Sequence, residues 1–276
     1  MLVNMKDILS DAQKNKYAVG LFNTTDTDML EAVITAAEEM RSPIIIGTAE
    51  VLLPYGELSL IAPSIIHAAK KATVPVAVHY DHGLTFERCM EALKLGFSSI
   101  MFDGSAEDEN NNLQNTKEIV KIAHSMGVTV EGEIGHVGNA DANDNELVDM
   151  YTTPKEAIDF VDYTGVDALA ISIGTAHGAY KSKPKLDIER LKAIRASIDT
   201  PLVLHGGSGL SDDDFRNTIA NGISKVNIFT DLCLAGVQAM KDNLDRPYLE
   251  IRNAKVEAIK AAVINKMILF GSNNKY

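Results

Sequence analysis

The chain has 276 residues, enough for one α/β barrel of roughly 250 residues without remainder, or for two small domains. A formal charge of −12 excludes the basic face that a nucleic-acid partner requires, and 46% hydrophobic residues with 6% aromatics and no Trp describe an aliphatic core. No apolar run reaches the roughly 18 residues of a membrane span, and the opening M-L-V-N-M-K-D-I lacks a signal-peptide core. Cys89 and Cys233 are too few for a disulfide scaffold. The expectation is a reduced, cytoplasmic protein with no membrane partner.

A short N-terminal helix is followed by a strand over Tyr17–Asn23 (Y-A-V-G-L-F-N) that ends on an amide. Asp26–Met40 has helical spacing of Met29, Leu30, Val33, Ile34 and Ala37, with Asp26 as N-cap. Pro43 opens the second strand, P-I-I-I-G, and a helix around Leu60–Lys71 leads to Pro75. The third strand, Val76–Gly83 (V-A-V-H-Y-D-H-G), is an apolar run that delivers polar groups at its exit. Alternation places His79 and Asp81 on one side, with His82 beginning the next loop. Helix Phe86–Leu95, a fourth strand at Ser98–Asp103, helix Glu107–Met126 and a fifth strand at Val128–Ile134 follow. That last strand carries Glu131 and Glu133.

Asn139–Met150 is polar and aperiodic, a loop. Pro154–Thr164 reads as helix, and the sixth strand, Ala168–Ile173, enters G-T-A-H-G. Helix Leu186–Ile198 precedes the seventh strand, Pro201–Leu204, which enters H-G-G-S-G. Helix Asp212–Asn221, an eighth strand at Lys225–Ile228 and two further helices complete the chain. Eight continuous apolar strands alternating with helices imply a parallel sheet buried on both faces. Asn23, Asp81, Asp103, Glu133, His177, His205 and Asn227 all fall at or just past strand C-termini, the end at which closed barrels carry their chemistry. With no linker or repeat, residues 1–276 are expected to form a single (β/α)8 TIM barrel with extra terminal helices.

Three of the seven histidines, His82, His177 and His205, follow strands three, six and seven, each with a glycine next in sequence. Imidazoles converging on one mouth form a metal site with open positions, which suits Zn2+. His67, His79, His124 and His136 are assigned to structural roles. The glycine segments at 174–178 and 205–209 let the backbone approach a ligand and form an anion nest, and Asn227 and Thr230 extend that wall.

H-Y-D-H, G-T-A-H-G, V-L-H-G-G-S-G and K-V-N-I-F-T, in this order, resemble the class II, metal-dependent ketose-bisphosphate aldolases, most closely the tagatose-bisphosphate branch. The likeness runs from Phe22 to L-F-G-S near the C-terminus. It implies Zn2+ on His82, His177 and His205, Asp81 as acid/base, and Asn23 positioning the substrate. Gly178, Gly206, Gly207, Ser208, Asn227 and Thr230 would hold the phosphate of dihydroxyacetone phosphate. Asp103 and Glu133 match positions that hold the metal in a more buried place, or are structural carboxylates. A Na+ or K+ bound by carbonyls near Gly178 and Gly206 is also implied, as is a homodimer or homotetramer acting on a small sugar phosphate.

The chemistry agrees with the likeness. A Lewis acid stabilises the enediolate left by aldol cleavage, and no Schiff-base Lys ends the sixth strand, A-L-A-I-S-I. A phosphate-binding epimerase would need paired carboxylate ligands, and a non-catalytic barrel would be expected to lack Asp81 or a metal His. Three departures stand out. Asp141 replaces the family's loop Glu, with a solvated carboxylate as the equal alternative. Phe229 stands where relatives have Asp or a small residue. Gly47–Glu50 matches the distal-phosphate segment only loosely, which leaves Arg252 as the candidate grip on an anionic aldehyde end, within the chain or across a subunit interface, or as a surface Arg. The expected substrate is therefore a fructose- or tagatose-type ketose 1,6-bisphosphate, the alternative being a ketose or sugar-acid 1-phosphate with an unphosphorylated aldehyde half.

Overall fold

The structure, a computed structural model, describes residues 1–135, 137, 151–176, 178 and 184–276. Nine parallel strands are present among them: β1 (Leu2–Val3), β2 (Val19–Asn23), β3 (Ile44–Ala49), β4 (Val76–Gly83), β5 (Ser99–Phe102), β6 (Thr129–Ile134), β7 (Ala168–Ile171), β8 (Leu202–Leu204) and β9 (Ile223–Ile228). Strands β2 to β9 pair in sequence order, with β9 against β2, and close into an eight-stranded barrel. The barrel helices are α2 (Thr27–Met40), α3 (Leu58–Lys71), α4 (Phe86–Leu95), α5 (Glu109–Ser125), α6 (Pro154–Thr164), α7 (Ile188–Ser197), α8 (Asp212–Ala220) and α9 (Thr230–Lys241). Two more lie outside the repeat, α1 (Met5–Asn15) before the barrel and α10 (Tyr248–Phe270) after it, packed on α2 and α9. The fold is the (β/α)8 barrel with terminal helices that the strand count implies.

Helix starts follow their caps. Asp26 accepts from Met29 N at 2.8 Å, and Thr153 with Glu156 and Ser211 with Asp214 form reciprocal boxes that satisfy N-terminal N–H groups. The sequence does not announce β1, which pairs with Val76 and Ala77 at the start of β4, or the 3-10 turn at Glu50–Tyr55.

Two layers fill the barrel. Met5, Ile8, Leu9 and Ala12 on one face of α1 pack against Val19, Leu21, Ile45, Ala77, Ala168, Ala170 and Val203, sealing the N-terminal end with aliphatic side chains. Alternation then carries each strand upward: Asn23 stands two residues beyond Leu21, and His79 and Asp81 stand two and four beyond Ala77. Glu131 with Glu133, and Lys225 with Asn227, rise in the same way on β6 and β9. The lower interior is apolar and the upper interior is charged. The outward-facing residues, among them Phe22, Ile44, Ile46, Val78, Ile100, Val130, Leu169 and Val226, pack under the helices in the larger core.

Candidate active site

The upper interior opens into a cavity of about 360 Å3 at the strand C-termini. Asn23, Asp81, His82, Asp103, Gly178, Gly206, Gly207, Ser208, Asn227 and Thr230 line it. Glu133 and His205 lie beneath, 1% and 0% exposed. Of the residues singled out from sequence, His136, Asp141 and His177 lie outside the described residues, as does the loop expected over Asn139–Met150.

β4 places Asp81 and His82 side by side. Neighbouring residues of a regular strand point to opposite faces, yet both border this cavity. The register explains it: Tyr80 pairs with Ile100 and Gly83 with Phe102, so three steps on β4 answer two on β5. His82 takes a left-handed φ of 45° within this irregularity. Such a bulge re-aims a side chain, so His82 belongs to the strand itself and not to the loop after it.

Asp81 is held by two amides. Asn23 Nδ2 donates to its Oδ2 at 2.8 Å, and Asn227 Nδ2 donates to Oδ1 and Oδ2 at 3.0 and 3.1 Å. Burial pushes this carboxyl up, but His82 and Lys225 outweigh burial and hold it well below the usual carboxylate range. It is ionised at neutral pH. The carbonyl oxygens of both amides, Asn23 Oδ1 and Asn227 Oδ1, have no hydrogen-bond partner among the described residues.

Each imidazole is oriented by a carboxylate. His82 Nδ1 meets Asp103 Oδ2 at 2.7 Å, and Ser105 N and Oγ donate to Asp103 Oδ1. His205 Nε2 meets Glu131 Oε1 at 2.8 Å. An ionised carboxylate only accepts, so these ring nitrogens carry protons, and it is the opposite nitrogens that a metal ion would engage on the neutral rings. The two rings meet edge to face, centroids 4.4 Å apart. Asp103 in this arrangement is the partner of His82, and Glu131, paired with buried Lys225 at 2.8 Å, is a site residue that strand position alone did not single out. The signal was available in the E-G-E alternation, which turns Glu131 and Glu133 to the same face.

The donor set fits a divalent ion. Ligand atoms of Asp81, His82 and His205, and of His82, Asp103 and Glu133, cluster within 4.8 Å of one another. Glu133 Oε2, buried, has no hydrogen-bond donor among the described residues. Four carboxylates, Asp81, Asp103, Glu131 and Glu133, face a single lysine, so the cluster is short of positive charge. Burial, with the Asp103 carboxylate nearby, pushes Glu133 up to about 8, and Asp81 with Asp103 raises His82 above its ordinary value against the effect of burial. A cation would relieve both. Imidazole nitrogens with carboxylate oxygens suit Zn2+.

The opposite wall is an anion cradle. Gly206 has φ 65°, and a Cβ there would stand 2.4 Å from Ala176 O, so only glycine fits. Ser208 Oγ accepts from Phe229 N and Asp231 N at 3.3 Å each, tying the glycine turn to the N-terminus of α9. Its N-cap residue, Phe229, makes no side-chain cap bond, and Thr230 at its positive end lines the cavity.

Within a single chain Arg252 does not reach this cavity. It lies on α10, where Nε meets Asp28 Oδ1 at 2.9 Å and the guanidinium also pairs with Glu31. No Lys or Arg is among the described lining residues, and the far side is built from Ala49, Val51, Leu52, Leu84 and Val137. Glu50, from the loosely matched G-T-A-E segment, accepts from Leu84 N at 2.8 Å and Tyr80 OH at 3.1 Å. It braces the loop after β4 and does not enter the cavity.

Comparison with known proteins agrees with this geometry. A sequence model of the family described as fructose-bisphosphate aldolase class-II matches residues 3–275. YdjI of Escherichia coli K12, described as uncharacterized, is 41% identical over 276 residues, covering 100% of this chain and 99% of that protein. A fructose-bisphosphate aldolase of Geobacillus stearothermophilus is 38% identical, covering 99% of this chain and 98% of its own. The crystal structure of the E. coli YdjI aldolase superposes with a TM-score of 0.91 at 38% identity, over 100% of this chain and 99% of that one.

Proposed function

Because the chain belongs to the class II fructose-bisphosphate aldolase family, whose members cleave the carbon–carbon bond between the positions α and β to a ketone, we propose that its substrate is a ketose 1,6-bisphosphate. Reversible cleavage then gives dihydroxyacetone phosphate and glyceraldehyde 3-phosphate. The observation that carries this reading is one cavity that sets the Asp81–His82 pair opposite the Gly206–Ser208 cradle and the N-terminus of α9. That arrangement suits a substrate with a phosphate at one wall and a proton acceptor at the other.

His82 and His205 are the proposed zinc ligands, with Glu133 beneath them and His177 added from its glycine-flanked motif. Zn2+ held there would supply Lewis-acid stabilisation of the charge that C–C cleavage leaves on the ketone-side fragment. The chain's own groups do the rest. Asp81, ionised and fixed by two amides, accepts the C4 hydroxyl proton in cleavage and returns it in condensation. Asn23 Oδ1 and Asn227 Oδ1, buried and without a hydrogen-bond partner among the described residues, can accept hydrogen bonds from substrate hydroxyls. Backbone N–H groups at Gly206–Ser208 and Thr230 hold the phosphate with neutral donors.

We further propose a cytoplasmic homodimer or homotetramer. Among the described residues no helix is long and apolar enough to cross a membrane, and exposed Leu234, Val237, Leu244, Tyr248 and Leu249 on α9, α10 and their connection offer an apolar face. A second substrate reading, a ketose 1-phosphate with an uncharged aldehyde half, is favoured by the aliphatic far wall and by the position of Arg252. The test is to assay zinc-loaded enzyme with fructose and tagatose 1,6-bisphosphates and with fructose 1-phosphate. Higher kcat/KM for the bisphosphates supports the first reading and the reverse order the second. Failure to release dihydroxyacetone phosphate from any ketose phosphate would refute both.

A further inference from the structure

Beneath the cavity floor lies an ion pair that the cleavage chemistry does not itself employ. Lys225 on β9 and Glu131 on β6 are both fully buried, with Lys225 Nζ 2.8 Å from Glu131 Oε2. The two residues are 94 positions apart, on strands separated by β7 and β8, and meet only because both side chains point into the barrel. A buried ammonium is costly unless its charge is matched. This one is matched by a carboxylate that has a second task.

Glu131 Oε1 accepts from His205 Nε2 at 2.8 Å. His205 therefore carries its proton on Nε2 and turns Nδ1 toward Glu133 Oε2, 3.4 Å away, among the proposed metal ligands. The same Lys225 Nζ stands 4.0 Å from Asp81 Oδ1. His79 completes the layer, with Nδ1 2.8 Å from Ser99 Oγ and Nε2 3.8 Å from Glu131 Oε2. Glu131 is thus a carboxylate with one oxygen on a lysine and the other on an imidazole. If the lysine end is released, the carboxylate is free to rotate, and the ring it orients loses its fixed direction.

We propose that Lys225 is a positioning residue: by anchoring Glu131 it fixes the orientation and tautomer of His205, and so sets the affinity of the site for its divalent ion. The proposal rests on the metal-dependent reading above. Partners of this kind behind a metal-bound histidine typically change metal affinity 10–100-fold. A lysine that acted only on its own account would give a loss independent of residue 131. A lysine that acts through Glu131 becomes dispensable once Glu131 is a glutamine, whose amide oxygen still accepts from His205 Nε2 and needs no counter-charge.

The experiment uses the full chain with Lys225→Met, Glu131→Gln and the double substitution. Zn2+ is titrated into metal-free protein against a chromogenic chelator, and visible absorption of the Co2+-loaded forms reads the ligand field. Lys225→Met is expected to weaken Zn2+ binding by on the order of 10–100-fold and to alter the Co2+ spectrum. The double variant is expected to bind as Glu131→Gln does. If Lys225→Met folds only when residue 131 is also Gln, seen by thermal unfolding, the same dependence is shown. Wild-type affinity in Lys225→Met overturns the proposal while leaving the metal-dependent reading intact. So does a double variant weaker than Glu131→Gln by the factor that separates Lys225→Met from wild type. A wild-type protein that binds neither ion would instead remove the metal-dependent reading, and this proposal with it.

Discussion

Replacing Asp81 by alanine takes away the one carboxylate that both borders the cavity and is pinned by two amides, Asn23 Nδ2 at 2.8 Å and Asn227 Nδ2 at 3.0 Å. Loss of a positioned proton acceptor costs typically 10²–10⁴-fold in rate, or about 3–5 kcal/mol of transition-state stabilisation. Two buried amide donors are left unpaired, at about 1–3 kcal/mol each. The removal of one negative charge from a carboxylate-rich cluster offsets part of that, so the variant should fold. Asparagine is a poorer probe, because its Nδ2 would face one of the two donors. The assay couples dihydroxyacetone phosphate release to NADH oxidation, with zinc content measured on the same sample. The expectation is a fall of about 10²–10⁴-fold in kcat, little change in KM, and undiminished zinc, because the proposed ligands His82, His205 and Glu133 are untouched by the substitution. A fully zinc-loaded Asp81→Ala enzyme within about tenfold of wild type would refute the assignment and move proton transfer at C4 to another group.

Chelation should abolish cleavage and added Zn2+ restore it, and borohydride with substrate should trap no adduct; a metal-free sample that retains full activity would sink the metal-dependent reading. Arg252→Ala should leave the ratio of kcat/KM for glyceraldehyde 3-phosphate to that for glyceraldehyde unchanged, and should modestly lower Tm at pH 7. Partial burial raises the Asp28 carboxyl, but Lys255 and Arg252 outweigh it and hold the net value below the ordinary one. The stability this gives is therefore full above about pH 4 and lost as pH falls through the folded value, so the Tm difference should vanish in acid; a selective loss with the phosphorylated aldehyde would return Arg252 to the site.

The elements that could be read from sequence are those with local signals. Asp26 caps a helix because its carboxylate reaches a backbone N–H three residues on, and α4 and α6 begin and end where their spacing says. The polar residues at the strand exits were legible for the same reason: Asn23, Asp81, Asp103 and Asn227 each interrupt an apolar run at its C-terminal end. What escaped is non-local or too short to have a period. The strand Leu2–Val3 has two residues and is defined by its partner, Val76–Ala77. The bulge at His82 is a mismatch between β4 and β5, which neither strand contains alone. Arg252 meets Asp28 across 224 positions, a pairing that no window along the chain reveals.

The same distinction explains how an acidic chain can hold an anionic substrate. Among the described lining residues no Lys or Arg supplies positive charge, and the buried lysine beneath is already committed to Glu131 and stands beside Asp81. On the proposed reading, the described residues would meet the phosphate with neutral donors, the N–H groups of the glycine turn and of Thr230 at the start of α9. The carboxylates meanwhile concentrate on the other wall, where their excess charge calls for a cation rather than an anion. Separating the two requires a rigid frame, because either wall alone would repel or neutralise the other's ligand. The barrel supplies it: β4, β5 and β6 carry the carboxylates that border or orient the imidazoles, β8 and β9 carry the cradle, and the aliphatic plug of α1 beneath holds the strands in register. On this reading the anion and the proton acceptor are kept apart by strand order, and a net charge of −12 is compatible with a phosphate site whose described walls offer backbone N–H groups.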